Sequence, residues 1–245
     1  MKKLSILSLS FLAALIPATA FSQVFTVYVI KSAPLAFTDE KGDTKGIHYD
    51  FARAIAEASG IEMNVQAENK GVIFRQIKSG AIDAGIFFPN KEWEEFTYNA
   101  GYTEVVKLIA LNRKGLPLKS YNDLYQSKSI GLMPQMNFGE PFDSDNKLNK
   151  NEVRTYEQQI QMLAIGRLDT ITGNQLAIFY QLKNNGLSDI VERPGFVFKE
   201  IQNQFHLSKK SPHVDKLERI RATIQTLHDN GTLEKILEHY IGKTQ

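Results

Sequence analysis

The sequence predicts an α/β protein made of two similar lobes. Strand and helix patterns alternate along both halves of the chain, which is typical of a largely parallel sheet covered by helices. A short motif at the end of a helix recurs in the second half, and two long extended runs could connect the halves. The length of 245 residues suits two lobes of about 100 residues each.

The first half begins with a continuous β-branched and aromatic run, the pattern of a strand buried on both faces of a parallel sheet. Apolar residues three and four positions apart then predict a helix that Gly60 ends. A second helix and two more strands complete the unit. The predicted segments are a strand over 24–30, a helix around 51–58, a strand over 61–66, a helix over 72–79 and a strand over 82–88.

The second half of the chain repeats one local sequence motif of the first half. In the first half, Gly80 ends a helix and Asp83 follows at the start of a strand. Gly166 and Asp169 hold the same positions after a helix predicted over 157–165. The glycine supplies the left-handed backbone that ends a helix. The recurrence predicts two lobes of the same build, and a structural rather than catalytic role for the two aspartates.

Two extended runs connect the predicted lobes. The run over 103–112 crosses from the first half to the second, and the run over 196–208 could return the chain. Two helices then end the sequence, with a break between their apolar stripes at Asn230 and Gly231.

The N-terminus has the pattern of a secretory signal peptide. Lys2 and Lys3 precede an apolar stretch, and Ala18-Thr19-Ala20 supplies the small residues of a cleavage site. The apolar stretch is shorter than the roughly 20 residues that a membrane-spanning helix needs. We therefore expect residues 1–20 to be removed on export, leaving a mature chain that begins at Phe21.

The composition excludes several functional classes. The chain has 29 Lys and Arg against 27 Asp and Glu, and Lys2 and Lys3 alone account for the excess. No basic surplus is left for a nucleic-acid-binding surface. Because the chain has no cysteine, it can have no disulfide, thiolate zinc site, cysteine nucleophile or lipidated cysteine. We expect a soluble protein without a membrane anchor in the periplasm of a Gram-negative bacterium.

Four stretches carry a family resemblance. Residues 46–56 fit the pattern G-F-x-x-D-L-A-x-A-I-A, and residues 80–84 fit G-x-V-D-A. Residues 166–169 repeat that second element, and residues 229–236 fit the closing pattern D-G-T-x-x-K-I. In this order and spacing the chain resembles the periplasmic solute-binding proteins of the amino-acid type, family 3, two-lobed clamshell receptors that feed ABC transporters.

The resemblance implies the type II clamshell fold, two α/β lobes joined by a two-strand hinge. It places lobe I at residues 21–106 and 206–245, and lobe II at residues 107–205. A small polar, amino-acid-like solute would bind in the cleft, where contacts to both lobes favour the closed form. The implied partners are this small-molecule ligand and an inner-membrane ABC permease, and the implied state is a monomer.

The family's charged ligand anchors are missing from this chain. Proteins of this type place an arginine after the third strand of lobe I to grip a carboxylate, and counting puts that position at Glu92 or Glu95. Asn174 replaces the aspartate of lobe II that binds an ammonium group, and it could equally cap the helix that follows. The sequence therefore predicts a ligand that is not an ordinary zwitterionic α-amino acid.

The remaining candidates for ligand contact are polar and aromatic residues near strand ends. The loop after the first strand of lobe II offers amide side chains for hydrogen bonding. Aromatic rings beside the cleft could stack on a ligand, with core packing as their competing role. Trp93 is the strongest aromatic candidate, because an acidic helix is an unusual place to bury an indole. The candidate residues are Phe37, Phe87, Phe88, Trp93, Tyr102, Gln135, Asn137 and Asn174.

Two alternative functions remain open. Clamshell dehydratases acting on prephenate-like acids need an acid facing a carboxylate-gripping arginine. Glu92 or Glu95 could be that acid, but no arginine has a matching position. A ligand-sensing subunit for a membrane receptor would use the same closure. The five histidines lack metal-ligand spacing and no catalytic motif occurs, so we expect a binding protein without catalytic residues, metal or cofactor.

Overall fold

The computed structural model describes residues 23–243, so the predicted signal peptide lies outside the described residues. Among residues 23–243, no helix is long and apolar enough to cross a membrane. The strands are β1 Phe25–Ile30, β2 Phe37–Thr38, β3 Thr44–Lys45, β4 Met63–Glu68, β5 Ala84–Phe87, β6 Thr97–Asn112, β7 Ile130–Leu132, β8 Lys150–Glu152, β9 Thr170–Asn174 and β10 Phe196–Ser208. The helices are α1 Ile47–Ser59, α2 Lys70–Ser79, α3 Lys91–Phe96, α4 Tyr156–Ala164, α5 Gln175–Asn184, α6 Leu217–Asp229 and α7 Thr232–Ile241.

Eight strands form one mixed sheet in the order β4-β1-β5-β10-β6-β9-β7-β8. On one side β1 is parallel to β4 and β5, and on the other side β7 is parallel to β8 and β9. The two long central strands, β10 and β6, pair antiparallel with each other. The sheet therefore consists of two parallel halves, one per lobe, joined through two long antiparallel strands as the sequence predicted.

The two central strands belong to both halves. Residues 204–207 of β10 pair with β5 of lobe I, whereas residues 108–112 of β6 pair with β9 of lobe II. Both strands run without a break past the lobe boundaries predicted at 106/107 and 205/206, which stay a prediction. The register between the two strands shifts at three places, as β-bulges cause. This irregular ribbon connects the two lobes.

Glycines end the helices where the sequence predicts. The residue after α1 is Gly60, with a φ of 63°, and the residue after α2 is Gly80, with a φ of 84°. Gly166, just past α4, has a φ of 72°. Glycine adopts this left-handed backbone without steric cost, so each chain segment can turn at once into the next strand.

The C-terminal helix α7 packs across both lobes. It contacts α1 and α6 on one side and α5 of lobe II on the other. The hydroxyl of Tyr240 donates a 2.5 Å hydrogen bond to Asp50 and accepts one from the amide of Gly46. The ammonium group of Lys183, in α5, donates to the carbonyl oxygen of His239, in α7. The lobes therefore touch along the contact between α5 and α7.

Candidate functional site

The two recurring aspartates have matching structural roles. Asp83 Oδ2 accepts a 2.7 Å hydrogen bond from the amide of Thr26, in the first strand of lobe I. Asp169 Oδ2 accepts a 2.9 Å bond from the amide of Lys128, just before the first strand of lobe II. The other carboxylate oxygens accept from a serine hydroxyl and an arginine side chain. Both carboxylates are thus occupied in holding the fold, as their recurrence predicted.

A cavity of about 540 Å³ lies between the lobes. Lobe I lines it with residues 32–35, directly after β1. Lobe II lines it with Met133 and Met136 after β7, residues 154–157 at the start of α4, and side chains within 174–181 at the start of α5. A volume of this size suits a small organic molecule, since such sites span about 300–1,000 Å³. A ligand here would contact both lobes.

A second depression, of about 580 Å³, lies beside α1 and β4. Its lining comes from lobe I alone. A molecule bound there could not hold the two lobes together, so closure of the lobes gives it no added contacts. The interlobe cavity is therefore the candidate site.

The start of α4 brings two charged side chains to the cavity. Thr155 caps the helix by accepting a 3.1 Å hydrogen bond from the amide of Gln158. Arg154 precedes this cap, and Glu157 lies in the first turn. Both are exposed, and they are the charged residues of the cavity lining. Within residues 23–243 neither forms an ion pair. No sequence motif identified Arg154 and Glu157 as site residues, because their place in the cavity depends on where α4 begins in the folded protein.

Asn174 lines the cavity and also caps a helix. Its Oδ1 accepts hydrogen bonds of 2.9 and 3.4 Å from the amides of Leu176 and Ala177, at the start of α5. Its own amide donates a 3.0 Å bond to the hydroxyl of Tyr156. The preceding Gly173 makes room for this tyrosine, because a Cβ there would overlap its ring. The helix thus occupies the Asn174 oxygen, while Nδ2 makes no hydrogen bond within the described residues.

The loop after β7 has an unusual backbone. Gln135 has a φ of 62°, the one positive φ of a non-glycine residue within the described chain. Such a conformation costs about 1–3 kcal/mol, and surrounding structure must hold it. Met133 and Met136, on either side, line the interlobe cavity, whereas Gln135 does not. Asn137 borders a neighbouring depression of about 420 Å³ that shares Met136 with the cavity. The loop therefore contributes two methionines to the cavity lining.

The lobe I wall of the cavity is uncharged and tied to α1. The loop is closed by a 2.7 Å hydrogen bond from the amide of Leu35 to the carbonyl of Ser32. The Leu35 carbonyl in turn accepts a 2.9 Å bond from the amide of His48, in the first turn of α1. The wall is therefore fixed to the main body of lobe I.

The described chain matches one protein family along nearly its whole length. The family model for bacterial extracellular solute-binding proteins, family 3, matches residues 26–243. This range includes both lobes, the two connecting strands and every residue that lines the cavity. The protein belongs to this family. The family and the two-lobed fold predicted from the sequence are thereby confirmed.

Relatives align with most of this family 3 protein, and a solved structure shares its fold. It is 20% identical over 219 residues to YxeM of Bacillus subtilis strain 168, named a probable amino-acid-binding protein, covering 87% of this chain and 81% of that one. It is 24% identical over 217 residues to TcyJ, the L-cystine-binding protein of Escherichia coli strain K12, covering 85% and 79%. The L-cystine solute receptor of Neisseria gonorrhoeae, solved unliganded and open, superimposes with a TM-score of 0.76 at 19% identity, covering 90% and 94%.

Two aromatic candidates of this solute-binding protein lie in the core of lobe I. Trp93 is 3% exposed, and its ring centroid lies 4.0 Å from that of Phe87. The sequence predicts that Trp93 lines the cleft, whereas the structure buries its indole in the core of lobe I. The short helix α3 turns one face inward, so its glutamates are exposed while Trp93 and Phe96 pack against α2. Neither Trp93 nor Phe87 lines the interlobe cavity.

Three other aromatic candidates also lie outside the cavity lining. Phe37 packs beside the α5–α7 contact, with its ring 5.6 Å from that of Tyr180. Phe88 is 38% exposed at the end of β5. Tyr102 stacks on His228 at 4.1 Å and borders a surface groove of about 350 Å³ against α6. Ligand contact by these residues stays a prediction, as it does for Gln135 and Asn137.

A buried histidine stacks on the same core as Trp93. The ring of His206 lies parallel to that of Phe87, at 4.3 Å, and Nδ1 lies 3.1 Å from the hydroxyl of Thr97. Burial lowers the pKa of His206 to about 4, because the low-dielectric core disfavours the charged imidazolium. This side chain is therefore neutral near pH 7 and serves packing rather than recognition.

A buried polar cluster joins α1 to both connecting strands. His48, Glu104 and Asn203 come from α1, β6 and β10, and each is no more than 2% exposed. Burial by itself would raise the pKa of Glu104. The neighbouring His48 ring and the amide of Asn203 outweigh burial and hold the pKa of Glu104 below its usual range. The cluster fixes the middle of the hinge ribbon.

The cavity is suited to reversible binding of a ligand between the two lobes. Glu92 and Glu95 stand where relatives of this family are expected to have an arginine. Both are exposed on α3, and neither lines the cavity. The cavity instead has one cation and one anion, both from lobe II, and an uncharged wall from lobe I. No group of three or more potential metal ligands occurs in the part of the chain that the structure describes.

Proposed function

We propose that this protein captures a small, polar, amino-acid-like solute in the interlobe cavity for an inner-membrane ABC transporter. One observation carries the proposal: both lobes line the cavity, so a ligand can contact both at once. Contacts made only in the closed form shift the equilibrium toward it. A ligand at micromolar affinity supplies about 8 kcal/mol, whereas reversing a two-state equilibrium takes about 5.5 kcal/mol.

Relatives support the proposed solute class, and the N-terminus supports the proposed location of the protein. TcyJ is named for binding L-cystine, and the family description calls its members extracellular. The signal-peptide pattern over residues 1–20 supports export to a Gram-negative periplasm. We propose that the mature protein is a monomer that acts there without a membrane anchor and without catalysis.

The proposal is tested by a thermal-shift screen on mature protein that has been unfolded and refolded to remove carried-over ligand. The panel contains the common amino acids, L-cystine, organic acids, amines and small peptides. A solute that binds only the folded state raises the melting temperature, by mass action. Isothermal calorimetry on the hits gives affinities, and small-angle scattering with and without the solute reports closure. Absence of any hit among the amino-acid-like compounds contradicts the proposal.

A pair of matched variants shows whether binding occurs in the interlobe cavity. Ala177→Trp places a large ring in the cavity lining and should abolish binding. Ala58→Trp makes the same change on an exposed position of α1 and should leave binding unchanged. Equal binding by the two variants would place the ligand elsewhere.

One observation favours the alternative that the protein is a dehydratase. Glu157 and Arg154 lie together in the cavity, and this kind of enzyme needs an acid and a carboxylate-gripping arginine. A general acid at neutral pH, however, needs burial or a like charge to stay protonated, and Glu157 is exposed. Incubation with prephenate, followed by ultraviolet absorbance, decides between the two. Turnover that Glu157→Gln abolishes would establish the enzyme.

A further inference from the structure

The interlobe cavity offers one positive and one negative side chain to a ligand. We propose that Arg154 and Glu157 bind the carboxylate and ammonium groups of an α-amino acid whose own side chain is uncharged and largely apolar. This inference rests on the function proposed above and names the ligand class of that site. It also removes the sequence-based reason for excluding amino acids, because the two charges missing at the family positions are present at others.

Both charged groups are held at one end of one helix and are free to meet a ligand. Arg154 lies one residue before the Thr155 cap of α4, and Glu157 lies two residues after it. Among the described arginines, Arg113 pairs with Asp169 at 3.0 Å and Arg221 pairs with Glu218 at 2.6 Å, whereas Arg154 is in no ion pair. A guanidinium presents a planar fork that fits a carboxylate with two hydrogen bonds, which a lysine cannot do.

The remaining lining determines what kind of side chain the ligand has. Pro34 and Leu35 come from lobe I, and Met133, Met136 and Leu176 come from lobe II. With one cation and one anion, the charged lining is neutral overall and matches a zwitterion. A third ligand charge, as in arginine or glutamate, would lack a partner in the cavity, and an unpaired charge removed from water is costly.

The placement also predicts an order of events. Because both charged groups belong to lobe II, the ligand can dock on the open protein through this lobe alone. Lobe I then closes its uncharged wall, residues 32–35, over the apolar part of the ligand. Charge recognition therefore precedes closure and does not depend on it.

The test is calorimetry with three related probes. L-methionine has both charged groups, L-methioninamide lacks the carboxylate, and 4-(methylthio)butanoate lacks the ammonium group. We expect the wild-type protein to bind L-methionine about 10- to 100-fold more tightly than either analogue, as lost charged hydrogen bonds predict. In Arg154→Ala the difference between L-methionine and its amide should disappear. In Glu157→Gln the difference between L-methionine and the butanoate should disappear.

Arg167→Ala is the matched control, since Arg167 is an exposed arginine of the same lobe, just beyond the other end of α4. It should bind all three probes as the wild type does. Thermal unfolding of each variant without ligand checks that the fold is intact.

Three results overturn the inference in distinguishable ways. If wild type binds L-methionine and Arg154→Ala keeps both that affinity and the discrimination against the amide, the inference fails and the proposed function stands. If L-arginine or L-glutamate binds more tightly than L-methionine, the assigned side-chain class is wrong. If no amino acid binds the wild-type protein, the proposed function fails, and the inference fails with it.

Discussion

His48 Nε2 lies 2.7 Å from Glu104 Oε1 where α1 meets the hinge strand β6, and both side chains are almost fully buried. Asn203, on the other hinge strand, donates from Nδ2 to the same Glu104 oxygen. The register of the ribbon shifts opposite this point, between Gln202 and Gln204. Removing the charge of one member of this buried cluster weakens the hydrogen bonds that satisfy its partners.

We expect Glu104→Gln to lower the free energy of unfolding at pH 7 by about 2 kcal/mol, because the hydrogen bonds from His48 and Asn203 lose a charged acceptor. Urea denaturation measures it. Glu200→Gln is the matched control, because Glu200 pairs with Lys107 across the same ribbon but in solvent. An exposed pair contributes at most about 1 kcal/mol, so a similar loss in both variants would contradict a stabilising role for the buried cluster. Since the pKa of Glu104 is lowered in the folded state, its contribution is complete above the ordinary value of 4.5 and is lost at lower pH.

Acid should destabilise the protein through His206 before it titrates Glu104. The folded pKa of about 4 lies below the ordinary 6.5, so between these values the unfolded chain binds a proton that the folded chain does not. The contribution of His206 to the free energy of unfolding is therefore complete above pH 6.5. It falls by up to about 3 kcal/mol as the pH is lowered toward 4. Urea midpoints from pH 7.5 to 4 should show this slope in wild type and a weaker slope in His206→Phe. His239→Gln, at an exposed position, should keep the wild-type slope.

Trp93 should report little about the ligand. It is the one tryptophan of the chain and lies in the lobe I core, away from the cavity. We expect blue-shifted emission that iodide quenches poorly and that L-methionine leaves nearly unchanged. Gln181→Trp adds an indole at the cavity as a positive control, and its emission should respond. A large ligand-induced change in wild-type emission would restore Trp93 as a cleft residue.

The contact between α5 and α7 should favour the closed form. Lys183 donates to the His239 carbonyl at the end of α7, where a cation also interacts favourably with the helix dipole. We expect Lys183→Ala to weaken solute binding about two- to five-fold and to enlarge the radius of gyration, because a bridge between lobes is lost. Lys235→Ala, at an exposed position of α7, is the control. Unchanged affinity in Lys183→Ala would mean that this contact survives opening.

Local signals predicted most of the fold. Gly60 and Gly80 end their helices because a left-handed residue is needed there, and that need is satisfied within a few residues of chain. The motif that places Asp83 and Asp169 after a helix-ending glycine predicted two lobes and a structural role for both carboxylates. Such features depend on backbone geometry and hydrogen bonds over short separations, which sequence patterns record directly.

The site was decided by tertiary structure. Arg154 and Glu157 belong to no sequence motif. They are candidates because the fold places the start of α4 opposite the loop after β1, across a cavity. The acidic neighbours of Trp93 led to the prediction that it lines the cleft, but its ring packs against Phe74 of α2 and lies near His206. Whether a side chain is buried or faces a ligand depends on segments far away along the chain. The sequence alone therefore determined the elements and the family, and packing determined which side chains share the cavity.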